Sequence, residues 1–361
     1  MVDTQNLANL IEKLSKTSPN QRSTNEAINN KILTIAGHWC SIGKSEGRHY
    51  IDALELDANG QLLKKVIRAY IALRHNSLNY IRKNPRNYKF FIDDGYFILS
   101  QLIQSCGNSS IFALPEIREM LHSDDYEIES TGCLALQWTG EEAIQFLPDL
   151  FSLMEKRGLN EQPYKIGELL VQLSQSSPKV LDGIKLNLSS TSENLLNSNL
   201  FTCSLMGRKS NFFCEDLKRL AESQSEEVKS LAILALGSTD NQSDEIGELL
   251  LKSTSASEWF VRGNAITSLG RLKFSPEKVL PIILDALDDN EGHDWTVRGC
   301  AIQALGNYAN SSVIDKASVI AVLTTLRKKL KNEQEDGWVS QIKEVNIILR
   351  TIKSCNNGDR T

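Results

Sequence analysis

The 361-residue chain has no apolar run approaching the length of a bilayer crossing. Its 21 Gly and 8 Pro are scattered without a short period, which excludes collagen-like and low-complexity classes. Seven cysteines, at 40, 106, 133, 203, 214, 300 and 355, are odd in number and include no CxxC pair, so neither a disulfide framework nor a zinc knuckle is indicated. Residues 1–20 lack an apolar stretch and a small-residue cleavage site, and read as mature sequence rather than a signal peptide. These absences predict a soluble protein of a reducing, cytoplasmic compartment. What is there is 41% hydrophobic and 24% charged with a net charge of −5, enough for one long or two ordinary folded domains and too apolar for disorder. The charge is uneven: residues 1–115 hold 14 Lys/Arg against 9 Asp/Glu, and residues 116–361 hold 26 against 36.

Self-similarity organises the rest. VRGNAITSLG at 261–270, VRGCAIQALG at 297–306, VKSLAILALG at 228–237 and IESTGCLALQ at 128–137 set an aliphatic residue at position 0, small residues at +4 and +7, and Leu at +8. The sets are Val261/Ala265/Ser268/Leu269, Val297/Ala301/Ala304/Leu305, Val228/Ala232/Ala235/Leu236 and Ile128/Gly132/Ala135/Leu136. That spacing puts each set on one helix face, where small side chains let a neighbouring helix approach. Gly237, Gly270 and Gly306 suit the left-handed residue that ends a helix. A second apolar helix follows each first one, with Leu280, Ile283, Leu284 and Leu287 as the clearest example and Pro281 near its start; 146–154, 245–252 and 317–330 are comparable. Each unit is then a helical hairpin that buries its apolar face by stacking on the next.

The Val-Arg pairs at 261–262 and 297–298, followed by Ala-x-x-Ala/Ser-Leu-Gly, resemble the HEAT-repeat family, in particular the short bacterial phycobilisome-lyase HEAT-like repeats; Val228-Lys229 matches conservatively and Ile128-Glu129 poorly. The resemblance implies an all-α, right-handed α-solenoid of HEAT-like hairpins over residues 116–355, with a disordered tail at 356–361. Residues 1–115, with helical stripes at Leu7/Leu10/Ile11/Leu14 and Leu62/Leu63/Val66/Ile67/Tyr70 and a strand or loop at 50–60, read as an irregular helical cap. One degenerate copy is expected near Phe201, Ser204 and Leu205, and a final copy near Trp338 with Val345 in the place of Ile302.

Candidate chemistry is sparse. Five residues separate Gly37 from Gly43-Lys44-Ser45, whereas a P-loop has four, and a helical segment precedes it. His38, Cys40 and His49 offer too few convergent ligands for zinc, and the His-Glu pairs of di-iron HEAT enzymes are missing. No catalytic residue, metal or cofactor is expected. Residues 61–90 carry eight Lys/Arg and no Asp or Glu, interleaved with tyrosines; Lys64, Lys65, Arg68, Arg82, Lys83 and Arg86 form a stripe fit for nucleic-acid phosphates. Trp259, Trp295 and Trp338 stand in register two residues before Val261, Val297 and Ser340, either packed in turns or serving as recognition aromatics. In the family the second helices line the concave surface, and there Asp244, Glu245 and Glu248 with Asp285, Asp288 and Asp289 make an acidic strip. The leading expectation is a non-enzymatic protein-binding scaffold or adaptor, inhibitor or immunity proteins included. A phycobilin lyase-like protein and a nucleic-acid binder through 61–90 are the alternatives.

Overall fold

A computed structural model describes Lys64, Ile67, Arg68 and Ile71, and residues 111–161, 163–288, 294–309, 315–333 and 338–358; the side chains at 160, 161, 163, 164, 294, 295, 332, 333, 338, 339 and 353–358 are outside the description. The chain divides into two compact units, Met1–Val180 and Leu181–Thr361. Among the described residues there are helices and no strands.

The first unit holds α1 (Leu114–Leu121), α2 (Tyr126–Leu136), α3 (Leu147–Glu161) and α4 (Pro163–Leu173). Asp125 caps α2 by accepting the Glu127 and Ile128 amides, so the Asp-Asp turn after α1 both ends one helix and starts the next. α1 packs on α2, α3 on α4 and α2 on α4. Gly158, at φ 59° and ψ −163°, kinks α3 in a backbone region that only glycine enters without strain.

Next come α5 (Pro178–Asn187), α6 (Glu193–Leu205), α7 (Cys214–Ala221), α8 (Glu226–Leu236), α9 (Asp244–Ser253), α10 (Trp259–Leu272), α11 (Pro276–Asp288), α12 (Asp294–Ala309), α13 (Lys316–Glu333) and α14 (Trp338–Gly358). The helices α8, α10 and α12 carry the repeated motif, and their position-0, +4, +7 and +8 side chains are all buried. Pro281 lies inside α11 rather than near its start.

Within the second unit α6, α8, α10, α12 and α14 pack side by side as one row, each directly on the next. The closeness of that row explains the glycines. A Cβ on Gly270 would sit 2.5 Å from Ala304 Cα, and one on Gly237 2.5 Å from Ser268 Cα. The expectation that Gly237, Gly270 and Gly306 end their helices in left-handed geometry is therefore corrected. Gly237 is right-handed at φ −65°, Gly270 and Gly306 lie inside α10 and α12, and the left-handed residue ending α10 is Lys273. These glycines serve contact between helices, not chain reversal. Polar bonds at the repeat's own spacing stitch the row: Ser238 Oγ donates to the Ser204 carbonyl at 2.7 Å, Ser268 Oγ to that of Ile233 at 2.9 Å, and Asn264 Nδ2 to Ser230 Oγ at 2.8 Å.

The order within each hairpin is also reversed from expectation. The motif helices α8, α10 and α12 each pack more on the intervening helix before them (α7, α9 and α11) than on the one after, and α14 packs on α13. Two copies fill the stretch between 137 and 222. In α6 the frame reads Leu195/Asn199/Thr202/Cys203, all buried, and in α4 Ile166, Leu169 and Leu170 take the +4, +7 and +8 places. The last copy is shifted by one residue. Gln341, Val345 and Leu349 are buried, and Gly306 meets Ile348 as Gly270 meets Ala304. Val345 thus takes the place of Ala301 rather than Ile302, and Trp338 falls three residues before its frame while Trp259 and Trp295 fall two before theirs.

Candidate functional site

Four of the expected acidic-strip residues, Asp244, Glu245, Glu248 and Asp285, are exposed on α9 and α11, as is Asp288, while Asp289 lies outside the described residues. Their helices are the first of each hairpin, not the second as expected. Lysines of neighbouring hairpins reach three of these carboxylates: Lys218 of α7 bonds Glu245 at 2.9 Å, Lys278 of α11 bonds Glu248 at 2.6 Å, and Lys329 of α13 bonds Asp288 at 3.4 Å. Two carboxylates push the Lys218 ammonium above its usual range, through its bonds to Glu245 and then Glu215. The strip is thus a ladder of exposed ion pairs across hairpins. Asp244 and Asp285 lie in it outside those three pairs, and Asp285 follows the exposed Leu284 in α11. Exposed pairs of this kind add little stability, so the charges are available to steer association.

The in-register tryptophans reduce to one described side chain. Trp259 is half-buried and meets Phe260 edge-on at 5.6 Å, inside the turn that opens α10. The side chains of Trp295 and Trp338 are outside the description. Arg262 donates to the Ala256 and Ser257 carbonyls at 3.0 and 2.7 Å, tying that turn to its helix. Arg298, its counterpart in α12, is wholly buried.

Of the basic stripe, Lys64 is half-buried and Arg68 is exposed yet bound to the buried Glu116 of α1 at 2.7 Å, with Ile67 and Ile71 buried one helical turn apart. This cation is engaged inside its own unit. Lys65, Arg82, Lys83 and Arg86, like the segment from Gly37 to His49, lie outside the described residues. Among the described residues no group of His, Cys, Asp and Glu is arranged to hold a metal ion. Burial pushes the Cys133 thiol up to about 12 and raises Cys203 and Cys300 as well, so these cysteines are protonated and behave as apolar filling.

The spacing analysis missed a longer period. Shifted by 67 residues, α1 and α2 with the turn after them fall on the second half of α5, α6 and its turn. Leu114, Ile117, Leu121, Gly140, Phe146, Asp149 and Leu150 recur as Leu181, Ile184, Leu188, Gly207, Phe213, Asp216 and Leu217. Both turns are 3-10 helices, Gly140–Phe146 and Gly207–Phe213, and both open on a glycine of positive φ, 59° and 57°. In the first copy Arg118 lies 4.5 Å over the buried Phe146 ring and pairs with Asp149 at 3.3 Å. In the second, Lys185 lies 4.9 Å over the ring of Phe212, which is 46% exposed, and the adjacent Leu186 is 76% exposed. A scan for the 67-residue shift finds this; a scan for single hairpins does not.

Stacked antiparallel hairpins with one closely packed row define an α-solenoid of the HEAT and armadillo class. The HEAT-repeat model matches residues 215–306 and again 248–334, so this stretch belongs to the HEAT-repeat family. No curated protein matches the chain. Among solved structures, yeast importin-β (Kap95p) is similar at 12% identity and a TM-score of 0.51, over 96% of this chain and 52% of that one. The Kap95:Nup1 complex gives 11% and 0.53 over 96% and 52%, and a Kap121p mutant 11% and 0.52 over 96% and 41%. The chain therefore spans about half the length of importin-β. Likeness at this identity shows the fold. Among the described residues no helix is long and apolar enough to cross a membrane.

Proposed function

We propose that the chain is a protein-interaction scaffold that works by binding and not by catalysis. The observation that carries this reading is the division of labour in the second unit. The motif helices pack on one another, and the helices between them present exposed charges, with the exposed Leu284 on α11. That face has no role in closing the row and is the kind of extended surface that repeat proteins use to hold partners. Importin-β, similar in fold, is seen in complex with Nup1, which supports a protein ligand in general.

Asp244 and Asp285 form none of the three lysine bonds, so a basic segment is the partner this face fits, and electrostatic steering would govern its arrival. The test is affinity capture of partners on the full chain, followed by titration of the captured protein against wild type and Asp244→Asn/Asp285→Asn. Both substitutions are on exposed helix surface and leave folding intact. The double variant should bind several-fold more weakly at low ionic strength, through a slower on-rate, with the difference shrinking as salt screens it. Equal affinity at low salt would reject the acidic face as the site.

A further inference from the structure

Among the many positions at which the two copies related by 67 residues differ, four exposed ones, on α1 and the turn after α2, bear on one patch. Glu119 and Gln145, exposed in the first copy, are replaced by Leu186 and Phe212 in the second. Glu141 and Glu142, on the first turn, are replaced by Arg208 and Lys209. Arg118 finds a carboxylate in its own unit, Asp149. Lys185 has the Phe212 ring and no carboxylate among the described residues, because Asp216, the counterpart of Asp149, turns to Arg219 at 3.5 Å. In the first copy cation, ring and carboxylate engage one another. In the second the cation lies over the half-exposed ring of Phe212, the counterpart of Gln145, an aliphatic side chain stands in water beside it, and the Asp216 carboxylate is spent on Arg219.

We propose that Lys185, Leu186 and Phe212 form a docking site for a peptide segment that presents a carboxylate beside an apolar side chain. This rests on the reading of the chain as a protein-binding scaffold and adds a second surface, of opposite polarity to the acidic face. The bound carboxylate pairs with Lys185, and the apolar side chain covers Phe212 and Leu186. Exposed aromatic and aliphatic residues rimmed by charge are the usual anchors of such contacts. The basic turn residue Arg208 favours an acidic ligand, although it already meets Asp240 at 3.1 Å. A nucleic-acid strand fits less well, since Leu186 offers no ring for stacking and Asp182, Glu215 and Asp216 lie close in sequence to the site.

The experiment is selection of a phage-displayed random peptide library on the full chain, with the selected consensus peptide then titrated in solution. The expected consensus pairs Asp or Glu with Phe, Leu or Trp. Leu186→Glu/Phe212→Gln, which restores the side chains of the first copy, should weaken that peptide about tenfold, the loss expected of a buried anchor, and Lys185→Ala should weaken it through the carboxylate. Circular dichroism checks that the variants fold. Peptides that lack a carboxylate, that bind the double variant unchanged, or that fail to be enriched would overturn the proposal. So would an oligothymidylate strand whose binding is lost in the same variants. If the library instead yields basic peptides sensitive to Asp244→Asn/Asp285→Asn, the scaffold reading stands and this site falls; if it yields nothing sensitive to either surface, both fall.

Discussion

Gly270 and Gly299 stand on neighbouring helices of one row and meet opposite surroundings. A Cβ at 270 would overlap the Ala304 backbone, whereas a Cβ at 299 would lie 4.0 Å from Gln341 Nε2, in ordinary contact. Alanine favours a helix over glycine by about 1 kcal/mol. At Gly299 that preference acts alone, and Gly299→Ala should stabilise by up to about 1 kcal/mol. At Gly270 a rigid backbone atom must move, so Gly270→Ala should destabilise by about 1–3 kcal/mol, as overpacking does. Chemical denaturation of the two variants checks this pair of opposite signs. Sequence pattern alone did not separate the cases, because glycine appears both where the chain turns left-handed and where two helices touch. Which demand applies is set by the neighbouring helix, which stands about one repeat away in the chain.

Helices and their partners were legible wherever small and aliphatic residues recur, as in α8, α10 and α12. They were hidden where the same core places hold polar side chains. In α6 the +4 and +7 positions are Asn199 and Thr202, buried and bonded to the Leu195 and Ser198 carbonyls of the preceding turn. Amides and hydroxyls that bond within their own helix fill the space of a small residue while breaking the apolar signature. Charge reversal weakened the signal in α2, which was still legible as a copy: its Val-Arg position reads Ile128-Glu129. The structure supplies the compensation, since Arg157 donates to both Glu129 oxygens, at 3.0 to 3.3 Å, and the carboxylate is 2% exposed. Arg157→Ala leaves that carboxylate buried with only Lys156, at 3.7 Å, and should cost about 3–5 kcal/mol. Glu129→Ala/Arg157→Ala should cost clearly less than the two single changes added together, which a double-mutant cycle measures. The candidate surfaces were partly legible as well. The carboxylates of α9 and α11 were visible in the sequence, but their lysine partners come from other hairpins.

Across the second unit each motif helix packs on its immediate neighbours in the row. Stability in such an array is close to a sum of hairpin terms and nearest-neighbour contacts, so damage should stay local. In Gly270→Ala, amide exchange should quicken through α10 and α12 while α6 keeps its wild-type protection; an even loss of protection along the unit would show instead that it opens as a single body. A further consequence concerns how such a chain acquires specificity. The frame shared by residues 114–154 and 181–221 is what a copied block of helices leaves behind, with the turn glycine, its phenylalanine and several buried leucines and isoleucines held while other positions diverge. Descent by copying lets one block go on supplying structure while its twin experiments at the surface, so novelty arises without risk to the fold. The growth of the array in length is then also a growth in vocabulary.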